Sequence, residues 1–488
     1  MKALGILIAL CTVAWAGTLR FEDYFIDKTM RIDYLHIGHA EMELIVIDRI
    51  YQSGIWAGSR TNLIDQFNNG RYYTKVYGQS DGELIYSRGN DSYFGEYKLS
   101  DDGLKKTVKS YHESVLIPSP KSPVRLVIEH RKKDNTLETI FETVIDPSDW
   151  RIIREEPGDP AVIVEKVVEH GDPHTTLDLV ILGEGYTTRQ TEKFRRDLRR
   201  AADILLAAEP YHSYQQDLNI FGVLKPSRES GCDEPEAAIY KSTSLGATFN
   251  SLGSERYLLT EDNRSMRDIA GHVPYDAVII MVNHSRYGGG GIYNSFCTFT
   301  SDNQWCDYIL VHELGHSFAG LADEYYTSST AYNDFYPRGI EPVEPNITAL
   351  LDPTRMKWKD LLSPGIQLPT PWEKQEFDHS DSLWQIKRAA MNEAIRQLKL
   401  NRADQALIDS AIAEYDRTDW ERGLQTQAYL KNCKAFGQVG AFEGAGYCSE
   451  GLYRPMIDCI MFSKGKKPYC QVCQHAVLKT IRHYLETE

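Results

Sequence analysis

The run Tyr308-Ile-Leu-Val-His-Glu-Leu-Gly-His-Ser-Phe-Ala-Gly-Leu-Ala-Asp-Glu-Tyr-Tyr326 places ionisable groups inside an otherwise apolar segment. Ser301-Asp-Asn-Gln304 has capping-box spacing just upstream, which predicts a helix starting near Asp302. On that helix His312 and His316 stand four residues apart, on one face and about one turn from each other. Ile309, Leu310, Val311, Leu314, Phe318 and Leu321 surround them, so the helix is expected to be largely buried. Two imidazoles and a carboxylate left without partners there carry a desolvation cost of several kcal/mol. Any fold this chain adopts must supply something that satisfies them.

A single Zn²⁺ held by both imidazoles at about 2.0–2.1 Å does so. Glu313 is displaced from the His312–His316 row, so it can reach a water on the metal without binding the metal itself. Zinc brings the pKa of such a water to about 7, and the carboxylate takes its proton as it attacks a peptide carbonyl. This is the H-E-x-x-H pattern of metalloproteases. With 14 His in 488 residues, the pattern is expected by chance on the order of a few hundredths of a time. The bland alternative, two polar histidines on a surface helix, does not suit the apolar neighbours.

Gly320 falls just beyond the helix and Asp323 three residues later. Metzincins end the helix at a Gly and place a third ligand at that interval. Here the Gly comes one residue later and Asp stands where His is usual. Asp323 is therefore the candidate third ligand, with its neighbour Glu324 as the alternative; in an extended segment only one of the two can face the metal. Further on, Cys459-Ile-Met-Phe462 holds a Met where metzincins place a Met-containing turn beneath the zinc. A lone Met is otherwise core filler. His272 and His284 have no ligand spacing, and Gly288-Gly-Gly-Gly291 lacks the Gly-Lys-Ser/Thr of a phosphate cradle. The glycine run reads instead as a flexible or closely approached strand beside the cleft, with Tyr287 to Tyr293 lining substrate.

The rest of the chain frames this centre. A net charge of −15 argues against a nucleic-acid binder, since phosphate neutralisation needs clustered Lys and Arg. Lys2, the apolar run Ala3 to Leu10, and Ala14-Trp-Ala16 read as a signal peptide over residues 1–16, too short for a membrane span. A lipid anchor on Cys11 ranks second, because Leu10 precedes it. The mature protein is expected to be extracytoplasmic, with no transmembrane segment. Eight cysteines remain, Cys232, Cys297, Cys306, Cys433, Cys448, Cys459, Cys470 and Cys473. In an exported chain disulfides are preferred. A pair between Cys297 and Cys306 is one guess, and a structural zinc on Cys470-x-x-Cys473 with Cys448 and Cys459 is the alternative.

Residues 17–150 read as strands, including a hairpin of Val124–His130 and Thr136–Val144 around Lys132-Lys-Asp-Asn135. They are taken as an all-β sandwich without ligand candidates, separable from the metal site. Residues 151–174 look like a linker, and 175–488 like an α/β catalytic domain, opening with the strand Leu177–Leu182 and the helix Thr191–Glu209. A charged helical insertion spans about 375–435, with Trp384, Ala390, Met391, Ala394, Ile395 and Leu398 on one side.

Together, His312 to Tyr326, Val439-Gly-Ala-Phe-Glu-Gly-Ala-Gly-Tyr447, Gly451-Leu-Tyr-Arg-Pro455, Cys459-Ile-Met461 and Tyr469-Cys-Gln-Val-Cys473 resemble the signatures of the IgA-peptidase family of bacterial zinc metallopeptidases. The resemblance runs from about Leu177 to the C-terminus, and the leader resembles the N-terminal domain of many members. It implies a metzincin-like fold, a twisted mixed sheet with active-site and backing helices. It also implies an endopeptidase with Zn²⁺ on His312, His316 and Asp323, Glu313 as base, and protein or peptide substrates. Immunoglobulin A is not implied as substrate. The rival expectations are a zinc hydrolase of a non-peptide bond, and an exported protein- or glycan-binding protein with a degenerate zinc domain. Intact Glu313 speaks against the latter.

Overall fold

The computed structural model describes residues 19–327 and 336–485. The expected signal peptide, with Cys11, lies outside the described residues.

The strand-rich leader folds as β1 (Phe25–His39), β2 (Met42–Ser53), β3 (Tyr72–Gly78), β4 (Leu84–Asn90), β5 (Lys109–Pro120), β6 (Val124–Arg131) and β7 (Leu137–Ile145). These make two antiparallel sheets, ordered β2-β1-β5 and β4-β3-β6-β7. Alternation of side chains puts Met30, Ile32 and Tyr34 of β1 in one core with Val76 of β3 and Leu126 and Ile128 of β6. The hairpin between β6 and β7 closes where expected. Lys132 N donates to Thr136 O at 2.8 Å, and Asn135 takes the left-handed conformation (φ 67°) that Asn tolerates in turns.

A mixed α/β unit follows: β8 (Ile163–Val168), β9 (Leu177–Glu184), α1 (Thr191–Ala207), β10 (Leu218–Leu224), α2 (Asn263–Ala270), β11 (Ala277–Val282), β12 (Gly289–Ile292), β13 (Phe296–Thr300) and α3 (Cys306–Ala319). The sheet order is β12-β13-β11-β9-β10-β8. The four inner strands are parallel and both edge strands antiparallel. Every residue of β9 is buried, as a central strand covered on both faces requires. Leu177, Leu179 and Ile181 face the core shared with α1 and α3, while Val180 and Leu182 face that of α2. Then come the paired helices α4 (Lys374–Leu400) and α5 (Gln405–Lys431), the ribbon β14 (Phe442–Ala445) and β15 (Cys448–Arg454), and α6 (Gln471–Tyr484).

Several expectations are refined. The stretch 151–174, read as a linker, contributes the edge strand β8, whose exposed Val164 and Lys166 gave it the look of a connection. Helix α3 starts at Cys306, not near Asp302. Trp305 N donates to the Asn303 side chain at 2.9 Å and Cys306 N to Asn303 O at 3.0 Å, so a tight turn occupies the predicted capping box. In α4, Trp384, Met391, Ile395 and Leu398 are half-buried, but Ala390 and Ala394 face solvent.

The leader does not stand apart. Tyr93, Phe94, Tyr97 and Tyr111 belong to the same core as β11 and α2. Asn69 Nδ2 donates to Gly320 O at 3.2 Å, at the very end of α3, and Arg88 donates to Tyr484 OH at 2.9 Å. Removing residues 19–150 would expose the apolar faces of β11 and α2 that these aromatic residues cover, so the truncated chain is expected to lack a cooperative melting transition. Phe94, fully buried, is the single-residue probe. Phe94→Ala should cost about 3–5 kcal/mol in urea denaturation, whereas a truncate that melts cooperatively would contradict the shared core.

Candidate active site

Helix α3 ends because Gly320 adopts φ 59°, which lets Gly320 N and Leu321 N bond back to His316 O at 3.0 Å and Gly315 O at 3.1 Å. The reversal returns the chain over the helix, and Asp323 arrives opposite the histidines. Asn346 clamps the turn through Ala322, accepting from its N–H at 2.8 Å and donating to its carbonyl at 2.9 Å. Gly446 N donates to Asp323 O at 2.9 Å, and the Tyr447 hydroxyl donates to Asp323 Oδ2.

Backbone carbonyls decide the tautomers. His312 Nδ1 meets Ile460 O at 3.0 Å and His316 Nδ1 meets Leu321 O at 2.6 Å. A carbonyl only accepts, so each Nδ1 carries a proton and Nε2 is the atom each neutral imidazole would offer a metal. The two Nε2 atoms are 3.1 Å apart, and Asp323 Oδ1 lies 3.1 Å from one and 3.2 Å from the other. Apart from the two imidazoles, no hydrogen-bond donor among the described residues reaches that buried oxygen. Three ligand atoms thus form a nearly equilateral triangle, within which Asp323 draws a proton onto His316 when no cation is bound. A tetrahedral ion with bonds of 2.0–2.1 Å has edges of about 3.3 Å, so the donor set fits a divalent cation such as zinc.

Glu313 projects beside this triangle, along β12. A Cβ on Gly289 would come within 2.9 Å of Glu313 Oε1, and one on Gly291 within 2.5 Å of Glu313 O. The glycine run is therefore the closely approached strand of the sequence reading. Burial raises the Glu313 carboxyl, with the two imidazoles acting against it. Burial would likewise raise Asp323, but His316 and His312 hold it well below the usual carboxylate range. His316, which burial lowers, is pushed up to about 9, chiefly by Asp323. Met461 is fully buried under the helix; a Cβ on Gly315 would sit 3.1 Å from its sulfur.

His312, Glu313, His316 and Asp323 thus converge on one cleft of about 140 Å³, also lined by Arg256, Tyr287, Tyr293, Tyr325 and Tyr447. A larger cavity of about 800 Å³ lies between leader and sheet, away from these residues. Converging lone pairs, not volume, mark the site. Tyr447 stood inside a quoted motif without an assigned part, and Arg256, which donates to Tyr325 OH at 2.9 Å, lies in a segment with no pattern at all. Glu324 turns away from the histidines. Its carboxylate lies 3.1 Å from Cys473 Sγ.

The disulfide expectation is corrected: all eight described cysteines are free thiols. Cys297 and Cys306 are both buried but unlinked, and Cys448 stands outside the group formed by Cys459, Cys470 and Cys473.

The profile of the family described as IgA Peptidase M64 matches residues 165–481, and that described as Peptidase M64 N-terminus matches residues 20–142. These matches place the chain among the metallopeptidases. It belongs to the IgA peptidase M64 family, the family its motifs resembled. No curated protein matches the chain.

The geometry assigns unequal weights to the groups around Asp323. Asp323→Ala should abolish tight metal binding in titration against a competing chelator. Tyr447→Phe, which removes only a hydrogen bond to the carboxylate, should weaken binding by about 10–100-fold. Equal affinities in the two variants would contradict this ranking.

Proposed function

We propose that the chain is a zinc-dependent endopeptidase in which His312, His316 and Asp323 hold the metal and Glu313 is the general base. The observation that carries the reading is the triangle of His312 Nε2, His316 Nε2 and buried Asp323 Oδ1, three ligand atoms turned to one point. When bound, the ion supplies a Lewis acid that polarises a carbonyl and acidifies a water. The carbonyls of Ile460 and Leu321 keep both imidazoles in the metal-binding tautomer. Tyr447 holds Asp323 in place through its second carboxylate oxygen. Glu313, raised by burial, is poised to accept a proton from the attacking water and pass it to the leaving amine. The half-buried Arg256–Tyr325 pair adds positive charge to the cleft wall where an oxyanion would develop.

The metzincin-like reading of the fold is supported by the left-handed Gly320 that turns the chain back and by Met461 beneath Gly315. Protein or peptide substrates follow from the family. An exported enzyme follows from the Lys2 to Ala16 pattern; among the described residues no helix is long and apolar enough to cross a membrane.

Digestion of a denatured protein should stop on addition of a chelator and resume with zinc. Glu313→Gln should retain the metal yet lose about 10²–10⁴-fold in kcat/KM. Parental activity in that variant would sink the mechanism. A metal-loaded chain that cleaves no peptide would favour a hydrolase of another bond or a binding protein.

A further inference from the structure

Asp323 and Glu324 are adjacent but serve different surroundings. Glu324 is fully buried and points at Cys459, Cys470 and Cys473, so that all four ligand atoms lie within 4.8 Å of one another. We propose that Glu324, Cys459, Cys470 and Cys473 form a second, closed metal site that holds a structural Zn²⁺ and braces the catalytic centre from behind.

The distances match a metal better than a disulfide. Cys459 Sγ and Cys473 Sγ are 3.8 Å apart. The edge of a zinc–thiolate tetrahedron with bonds of about 2.3 Å is about 3.8 Å, whereas a disulfide needs about 2.05 Å. Glu324 Oε1 lies 3.1 Å from Cys473 Sγ and 4.0 Å from Cys470 Sγ. Its other oxygen is buried with no hydrogen-bond partner among the described residues. Asn346 Nδ2 donates to Oε1 at 3.1 Å and buried Arg454 acts on the carboxylate through its charge, but among the described residues no ion pair is made to it. Cys470 caps α6 and Cys473 lies in its first turn, where helix N-termini favour thiolates. Cys470 N also donates to Cys459 Sγ at 3.1 Å. Three thiolates and one carboxylate with every ligand buried describe a closed site for a borderline-soft ion, not for calcium or magnesium.

Its position gives it a purpose. Glu324 N donates to Met461 O at 2.9 Å, and the preceding carbonyl, of Ile460, holds His312. An ion on Glu324 and Cys459 therefore fastens two segments that border the catalytic triangle, one carrying Asp323 and the other orienting His312.

The test is metal analysis of the purified full chain by mass spectrometry, together with cobalt(II) exchange. Two equivalents of zinc are expected in the parent. The His312→Ala/His316→Ala double variant should keep one and, with cobalt, show intense thiolate charge-transfer absorption. Cys470→Ser/Cys473→Ser should lose that absorption. These parental and histidine-variant measurements decide the matter even where the cysteine variant fails to fold. A parent with one equivalent that vanishes in the histidine variant overturns the proposal. So does peptide mapping that finds Cys459, Cys470 or Cys473 joined in a disulfide. One equivalent with thiolate absorption in both parent and histidine variant upholds this site and sinks the catalytic one, so the two readings fail separately.

Discussion

The close approach of three ligand atoms inside the protein sets the terms for the peptidase half of this structure. Two imidazole nitrogens and a carboxylate oxygen meet within 3.2 Å of each other, with a proton drawn onto His316 to offset the carboxylate. In water such a cluster would relax apart. Here the helix C-cap at Gly320, the Asn346 clamp and the Met461 turn hold it together. The surrounding hydrogen bonds all act to keep these atoms pointed at one spot, where a divalent cation would take the place of that proton.

The same helix makes demands on its other side. Glycines in β12 allow the sheet edge to approach the Glu313 backbone more closely than any side chain would permit. The leader completes the enclosure, with Asn69 sealing the carbonyl of Gly320 and Arg88 joined to α6. A region without any metal-ligand candidate thus contributes to the rigidity on which the site depends. Trp305, at the start of α3, stacks on Trp420 of α5 with ring centroids 4.7 Å apart, so the charged helical pair is anchored directly to the site helix.

Alternation along one short segment links the two candidate metal sites. Asp323 faces the histidines and Glu324 the cysteines, so displacement of either side chain would be felt by the other through one peptide unit. The turn Cys459–Phe462 repeats the arrangement, giving a thiol to one site and the Ile460 carbonyl to the other.

Much of this was legible beforehand because it is local. Helical spacing places His312 and His316 together, hydrophobic neighbours bury them, and the interval from Gly320 points to Asp323. The strands around Lys132–Asn135 and the glycine run also announce themselves through turn chemistry and lack of side chains. What the chain alone left open concerns partners far apart in sequence. Cys448 and Cys470 were equally plausible neighbours of Cys459 until folding set Glu324 among the thiols and left Cys448 outside. The leader looked independent because nothing in its pattern says which aromatic residues pack within it and which pack beyond it. Periodicity reports which face of an element is apolar, but not what covers that face. Only the tertiary structure, by bringing Tyr447, Ile460 and Asn69 to a helix more than a hundred residues away, decided how the site is held.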